Sequence, residues 1–160
     1  MGETVEEIEC RLFQAFPKLL HDCKFKVTSK ATPVYNCIAW AYNLDNRWMW
    51  PNAGEYLFLD GVHYWPTDKI LDCNVSNFIE AFKHKGYECC DNSCFEPKYR
   101  KIALFAKPGT TECTHAAREL SNGFWTSKLG NDCDIQHGMP CTIENDDYGI
   151  VFCFMKKKFE

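Results

Sequence analysis

Apolar positions over residues 5–20 recur at the helical period, with Val5, Ile8, Leu12, Phe13, Phe16, Leu19 and Leu20 on one face. Pro17 interrupts this run, so the spacing predicts a helix that breaks or kinks there. A polar stretch from Thr28 to Pro33 follows. Asn36 then precedes Cys37-Ile38-Ala39-Trp40-Ala41, which predicts a helix capped by Asn36 with Cys37 at its first position. Residues 45–68 lack a period and are dense in aromatics, including Trp48, Trp50, Tyr56, Phe58, Tyr64 and Trp65, and read as loop. Asn74 to Lys85 carries Val75, Phe78, Ile79 and Phe82 on one helical face, with Gly86 as its stop.

Beyond Gly86 the pattern changes. Lys101–Ala106 is a short apolar run closed by Lys107-Pro108-Gly109. Cys113–Leu120 and Phe124–Lys128 read as strands joined through Ser121-Asn122-Gly123, a hairpin turn signal. Tyr148–Met155 reads as a last strand. Helices first and antiparallel strands second predict an α+β fold, with N-terminal helices packed on a C-terminal sheet. The 160 residues fit one domain spanning 1–160, with no internal repeat or linker. A chain of this size buries roughly 68–70% of its unfolded surface, so its core forms without disulfide staples.

Composition narrows the function. An apolar content of 46% excludes wholesale disorder. No uncharged apolar run approaches the roughly 18 residues of a membrane span, so no membrane partner is expected. The 18 basic and 22 acidic residues are interspersed and leave a net charge of −4, which argues against a nucleic-acid partner. Eleven cysteines is a high and odd number, and the start Met1-Gly2-Glu3-Thr4-Val5-Glu6-Glu7 lacks an apolar signal core. The expectation is a cytoplasmic protein with reduced thiols. A secreted, disulfide-bonded chain without a visible signal peptide is the alternative.

Cys37 is the most informative position. A thiol at a helix N-terminus meets unpaired backbone N–H groups and the positive end of the dipole, which favour the nucleophilic thiolate. The same donors can hold a developing oxyanion, with the Asn36 or Tyr35 side chain beside the Cys37 N–H. Such a nucleophile needs a base and a group that orients the base. His115, between Thr114 and Ala116-Ala117, opens a predicted strand and is the best base. Ser127 lies across the 121–123 hairpin and is placed to orient the imidazole.

This chain order, Cys on a helix, His on a strand and a polar residue on the next strand, resembles the papain-like cysteine hydrolases, most closely their NlpC/P60 and CHAP branch. A closer likeness is to an uncharacterised, mainly bacterial family of single domains. It rests on Tyr35-Asn36-Cys37-Ile38-Ala39-Trp40-Ala41, Trp48-Met49-Trp50-Pro51, Thr114-His115-Ala116-Ala117, Trp125-Thr126-Ser127-Lys128-Leu129-Gly130, Asp134-Ile135-Gln136-His137 and Tyr148-Gly149. The resemblance implies a papain-like (NlpC/P60-type) fold. It also implies a thiol-dependent hydrolase or acyltransferase acting on an amide, ester or thioester of a small molecule or peptide, without a cofactor. In the NlpC/P60 enzymes the third residue is usually His, Asn or Gln, so Asp134 or His137 is an alternative to Ser127. Their Asp-Cys-Ser-Gly run reads Asn36-Cys37-Ile38-Ala39 here, which leaves peptidoglycan specificity unsupported.

Each of these residues also has an ordinary structural reading. Cys37 reads equally as a small buried hydrophobe and His115 as a hydrogen-bonded strand histidine. His63 and His137 read as structural or loop histidines. Trp48, Trp50, Trp65 and Trp125 line either a substrate cleft or the core. The second functional reading is a non-catalytic module that binds a small molecule or peptide, with or without a structural zinc. Zinc ligands would come from Cys89, Cys90 and Cys94, from Cys113 with His115, or from Cys133, His137 and Cys141. The spacing is not that of two convergent metal arms. No Gly-rich phosphate loop is present.

Overall fold

The structure is a computed structural model that describes residues 2–51, 63–67 and 72–159. Helix α1 (Val5–Ala15) starts at Thr4, whose hydroxyl accepts from the Glu7 N–H at 3.1 Å. It ends before Pro17, and a 3-10 turn (Pro17–His21) continues the segment. The break therefore falls where the proline requires it. Leu12, Phe16 and Leu19 are buried, whereas Val5 and Leu20, which share their period, are exposed. Helix α2 (Cys37–Ala41) is a single short helix capped by Asn36. Helix α3 (Val75–His84) is capped by Asn74, and the chain leaves it through Gly86 at φ +102°.

The strands are β1 (Lys26–Val27), β2 (Trp48–Met49), β3 (His63–Tyr64), β4 (Glu88–Cys90), β5 (Tyr99–Ala106), β6 (Cys113–Glu119), β7 (Trp125–Lys128), β8 (Asp134–His137) and β9 (Ile150–Lys158). Seven form one antiparallel sheet in the order β1-β8-β7-β6-β5-β9-β4. β2 and β3 form a separate parallel pair. The hairpin between β6 and β7 closes with Leu120 N–H to Phe124 O at 2.7 Å and Gly123 at φ +85°. Gly149 enters β9 at φ +72°, and a Cβ there would overlap the Ala106 carbonyl. Of the 45–68 aromatic segment, Tyr56 and Phe58 lie outside the described residues.

The α+β class is as expected, but helices cover both faces of the sheet. The two-residue period of β5 sorts the core. Ile102 and Leu104 pack with α2 and α3, in one layer with Cys37, Phe78, Ala116 and Met155. Ala103 and Phe105 pack with α1, in a second layer with Phe16, Ala117, Trp125 and Ile135. Both faces being covered explains why β5 reads as a continuous apolar run. Cys89 and Cys90 lie on β4 opposite Met155 and Phe154. No helix among the described residues is long and apolar enough to cross a membrane.

Candidate functional site

The segment before α2 is held by polar side chains. Asn36 is buried; its Oδ1 accepts from the N–H groups of Ala39 and Met49, both at 3.1 Å. Its Nδ2 donates to Met49 O at 2.7 Å. Tyr35 donates its hydroxyl to Asp134 Oδ2 at 2.8 Å, and Thr28 donates to the other Asp134 oxygen at 2.5 Å. Lys128 is buried, donates to the carbonyls of Thr32 and Gly130 at 2.7 Å each, and lies 4.9 Å from the Tyr35 ring centroid. Trp40 Nε1 donates to Thr126 Oγ1 at 2.9 Å. These bonds fasten both ends of α2 to β7 and β8. They also occupy Asn36 and Tyr35, which are therefore ties within the fold and not open oxyanion donors.

Cys37 is 6% exposed. Burial dominates its ionisation and pushes the thiol up to about 11. Hydrogen bonding from the Ala116, Ile38 and Cys37 backbone N–H groups and the charge of Lys128 pull the other way. Desolvation outweighs the thiolate-favouring polarity of the α2 N-terminus.

His115 lies opposite Phe105 in the sheet register. Its ring is edge-on to Phe105 at 5.1 Å and stacked on Tyr148 at 4.3 Å. It is fully buried, and neither ring nitrogen has a hydrogen-bond partner. Burial, reinforced by the nearby His137, holds it well below the usual imidazole range. The expected Cys37–His115 hydrogen bond is therefore not made. The reason lies in the strand. Alternation puts Ala116 toward α2, in one layer with Cys37, and sends the His115 ring to Phe105 in the α1 layer. The two residues are neighbours through the backbone but not through their side chains.

Ser127 is buried and pairs with His137, not His115, with Oγ to Nε2 at 2.9 Å. His137 Nδ1 lies 2.7 Å from Met139 O. A carbonyl only accepts, so Nδ1 carries the proton and Nε2 accepts from Ser127. Burial depresses His137 to about 4. Asp134 is engaged by Tyr35 and Thr28, so none of the three candidate orienting groups contacts a His115 nitrogen.

The tryptophans are mostly core. Trp125 is buried in the α1 layer. Trp65 and the half-buried Trp50 are edge-on to Phe78 of α3 at 5.2 and 5.3 Å. Trp48 is half-buried on β2. Among the described residues, no group of three His, Cys, Asp or Glu side chains converges as a metal site requires. The Cys90 thiol donates to Asn92 O at 3.6 Å, and His137 is already bonded at both nitrogens. Two residues that sequence reasoning passed over matter here. Tyr148 covers His115, and Lys128 links the Tyr35 ring to the chain ahead of α2. Both stood among the signature residues, in Tyr148-Gly149 and in Trp125-Thr126-Ser127-Lys128-Leu129-Gly130, but residue type alone gave neither a role.

A family model described as Domain of unknown function (DUF7689) matches residues 26–156. The chain belongs to this DUF7689 family. No curated protein and no solved structure matches it. The DUF7689 span runs from β1 into β9 and includes Cys37, His115, Ser127, Asp134, His137 and Tyr148. Helix α1, which covers one sheet face, precedes it.

Proposed function

We propose that this DUF7689 domain is a thiol-dependent hydrolase or acyltransferase of papain-like fold, here in a closed form. One observation supports the reading above others. Cys37 opens α2 in the same layer as Ala116, and the residue next to Ala116, His115, is a fully buried histidine with both nitrogens unpaired. An orphaned buried polar group calls for an explanation, and a catalytic role is one. In the open form His115 leaves the Phe105–Tyr148 slot and takes the Cys37 proton. The sulfur attacks the carbonyl carbon of an amide, ester or thioester, and the C=O electron pair moves to oxygen. Collapse of that intermediate breaks the bond to the leaving group, which takes the proton from His115. Water or an amine then attacks the thioester carbon, gives a proton to His115, and displaces Cys37. The substrate is a small molecule or peptide, and the unpaired state of all eleven cysteines fits a reducing, cytoplasmic setting.

A second reading is a non-catalytic binding module on the same scaffold. It is favoured by the upward shift of the Cys37 thiol and by the aromatic stack that holds His115. Treatment with p-nitrophenyl acetate, followed by peptide mapping, separates the two. The enzyme reading expects a transient acetyl group on Cys37, absent in Cys37→Ala and formed at least tenfold more slowly in His115→Ala. Acetylation confined to the exposed thiols Cys10, Cys23, Cys89 and Cys94 would leave the binding module.

A further inference from the structure

The register of the sheet gathers positive charge on one face. Arg100 on β5 lies directly opposite Lys157 on β9. Arg118 on β6 lies opposite Ile102, two residues along β5 from Arg100. Ile102 faces the α2–α3 layer, so period two turns Arg100 and Arg118 to the same face. Met155, also opposite Ile102, does the same for Lys157. Lys85, just after α3, adds a fourth cation. The four line a cavity of about 360 Å³ together with Tyr87 and Glu119.

Like charges directly across a strand pair are destabilising. Among the described residues none of the four is in an ion pair. Glu119 gives little relief: burial pushes its carboxyl up to about 7, against the pull of Lys101 and Arg100, and neither oxygen has a partner. Desolvation, with the charges of Lys157 and Arg118, also lowers the Lys85 ammonium. Three of the cations are nevertheless fixed. Arg118 Nε donates to Trp40 O at 3.1 Å and its guanidinium lies 4.8 Å from the Trp40 ring centroid. Arg100 Nη1 donates to Tyr99 O at 2.9 Å. Lys85 donates to Tyr42 O and lies over the Tyr42 ring. Four cations around one cavity, three of them held in place and none in an ion pair, are a ready receptor for a multiply charged oxyanion.

We propose that this cavity binds a small phosphate-bearing molecule through Lys85, Arg100, Arg118 and Lys157. Asn43, beyond the C-terminal end of α2, is among the residues that line the site, whereas Cys37 is at the other end of that helix. It therefore stands independently of the thiol mechanism. The two guanidinium forks take the phosphate oxygens, and the ammonium groups neutralise the remaining charge.

The test is calorimetric titration of the full chain with inorganic pyrophosphate at fixed ionic strength. One saturable site is expected. Arg100→Gln and Lys157→Gln should each weaken it at least tenfold, and Lys83→Gln, a lysine paired with Glu80 outside the cavity, should not. Without pyrophosphate, Arg100→Gln and Lys157→Gln should melt no lower than the parent, since each removes repulsion. Absence of saturable binding, or equal binding by all variants, overturns the proposal. So does a single-stranded oligonucleotide that binds through the same residues more tightly than pyrophosphate, because the face is then a nucleic-acid groove.

Discussion

His115 and His137 are both fully buried, yet only His137 is bonded at both nitrogens. Burial lowers both below the ordinary imidazole value of about 6.5. As pH falls through about 6.5 the unfolded chain takes up protons at these positions and the folded chain does not. Stability is therefore full above that pH and is lost as pH falls toward the folded values, near 4 for His137. Each histidine removes on the order of 1 kcal/mol per pH unit in this window. A phenyl ring fits the slot between Phe105 and Tyr148, and an unpaired buried polar group costs about 1–3 kcal/mol. His115→Phe should then match or exceed the parent at pH 7.5. Between pH 7.5 and pH 5 it should lose less stability than the parent, by the share of one buried histidine. Urea titrations at the two pH values check this, and a loss above about 2 kcal/mol at pH 7.5 would sink it. The sequence placed His115 near the start of a strand. It did not say which face the ring takes, because the bulge between β5 and β6, where Phe105 pairs with His115 and Ala106 with Cys113, leaves no mark in residue type.

Helix α2 has only five residues, too few to persist alone. Its neighbours hold it, Asn36 first among them. One buried amide serves the Ala39 N–H, the Met49 N–H and the Met49 carbonyl, so it both starts the helix and docks β2 against it. Asn36→Ala leaves all three groups without that partner and should cost about 3 kcal/mol. Asn36→Asp keeps the acceptor but sets a carboxylate against the Met49 carbonyl, so it should not restore stability. Urea unfolding of both variants tests this, and a loss below about 1 kcal/mol in Asn36→Ala would show that other contacts fix α2. Elements with a strong period or clear punctuation were readable: the break at Pro17, the cap Asn36, the helix that begins near Asn74, the stop at Gly86 and the 121–123 hairpin. The strands Lys26–Val27, Glu88–Cys90 and Asp134–His137 were not. They are short and mixed in polarity, and they exist because partners distant in sequence pair with them. The placement of α1 and α2 on opposite faces is likewise set by chain path, and it separates the His115 ring from Cys37.

At the scale of the whole molecule, the two apolar layers sort the thiols by depth. Cys37, Cys113 and Cys133 are buried, Cys73, Cys90, Cys141 and Cys153 are half-buried, and Cys10, Cys23, Cys89 and Cys94 are exposed. Burial also raises the pKa of each buried thiol, Cys37 and Cys133 to about 11 and Cys113 well above its ordinary value. Access and ionisation therefore act in the same direction, and reaction with a thiol reagent such as Ellman's should fall into resolved phases. At pH 7.5 the native protein should show a fast phase equal to the four exposed thiols, then a slower one from the half-buried group. All eleven should react in urea without reductant. Fewer than eleven in urea would reveal disulfides and contradict the unpaired arrangement. Peptide mapping of the fast phase adds a sharper test. If Cys37 labels with the exposed group, the α2 layer opens within the time of the reaction, and the closed site is not its resting state. If Cys37 labels last, the closed site is stable. A catalytic Cys37 then requires that substrate binding itself, not spontaneous breathing of the layer, brings the thiol and His115 together.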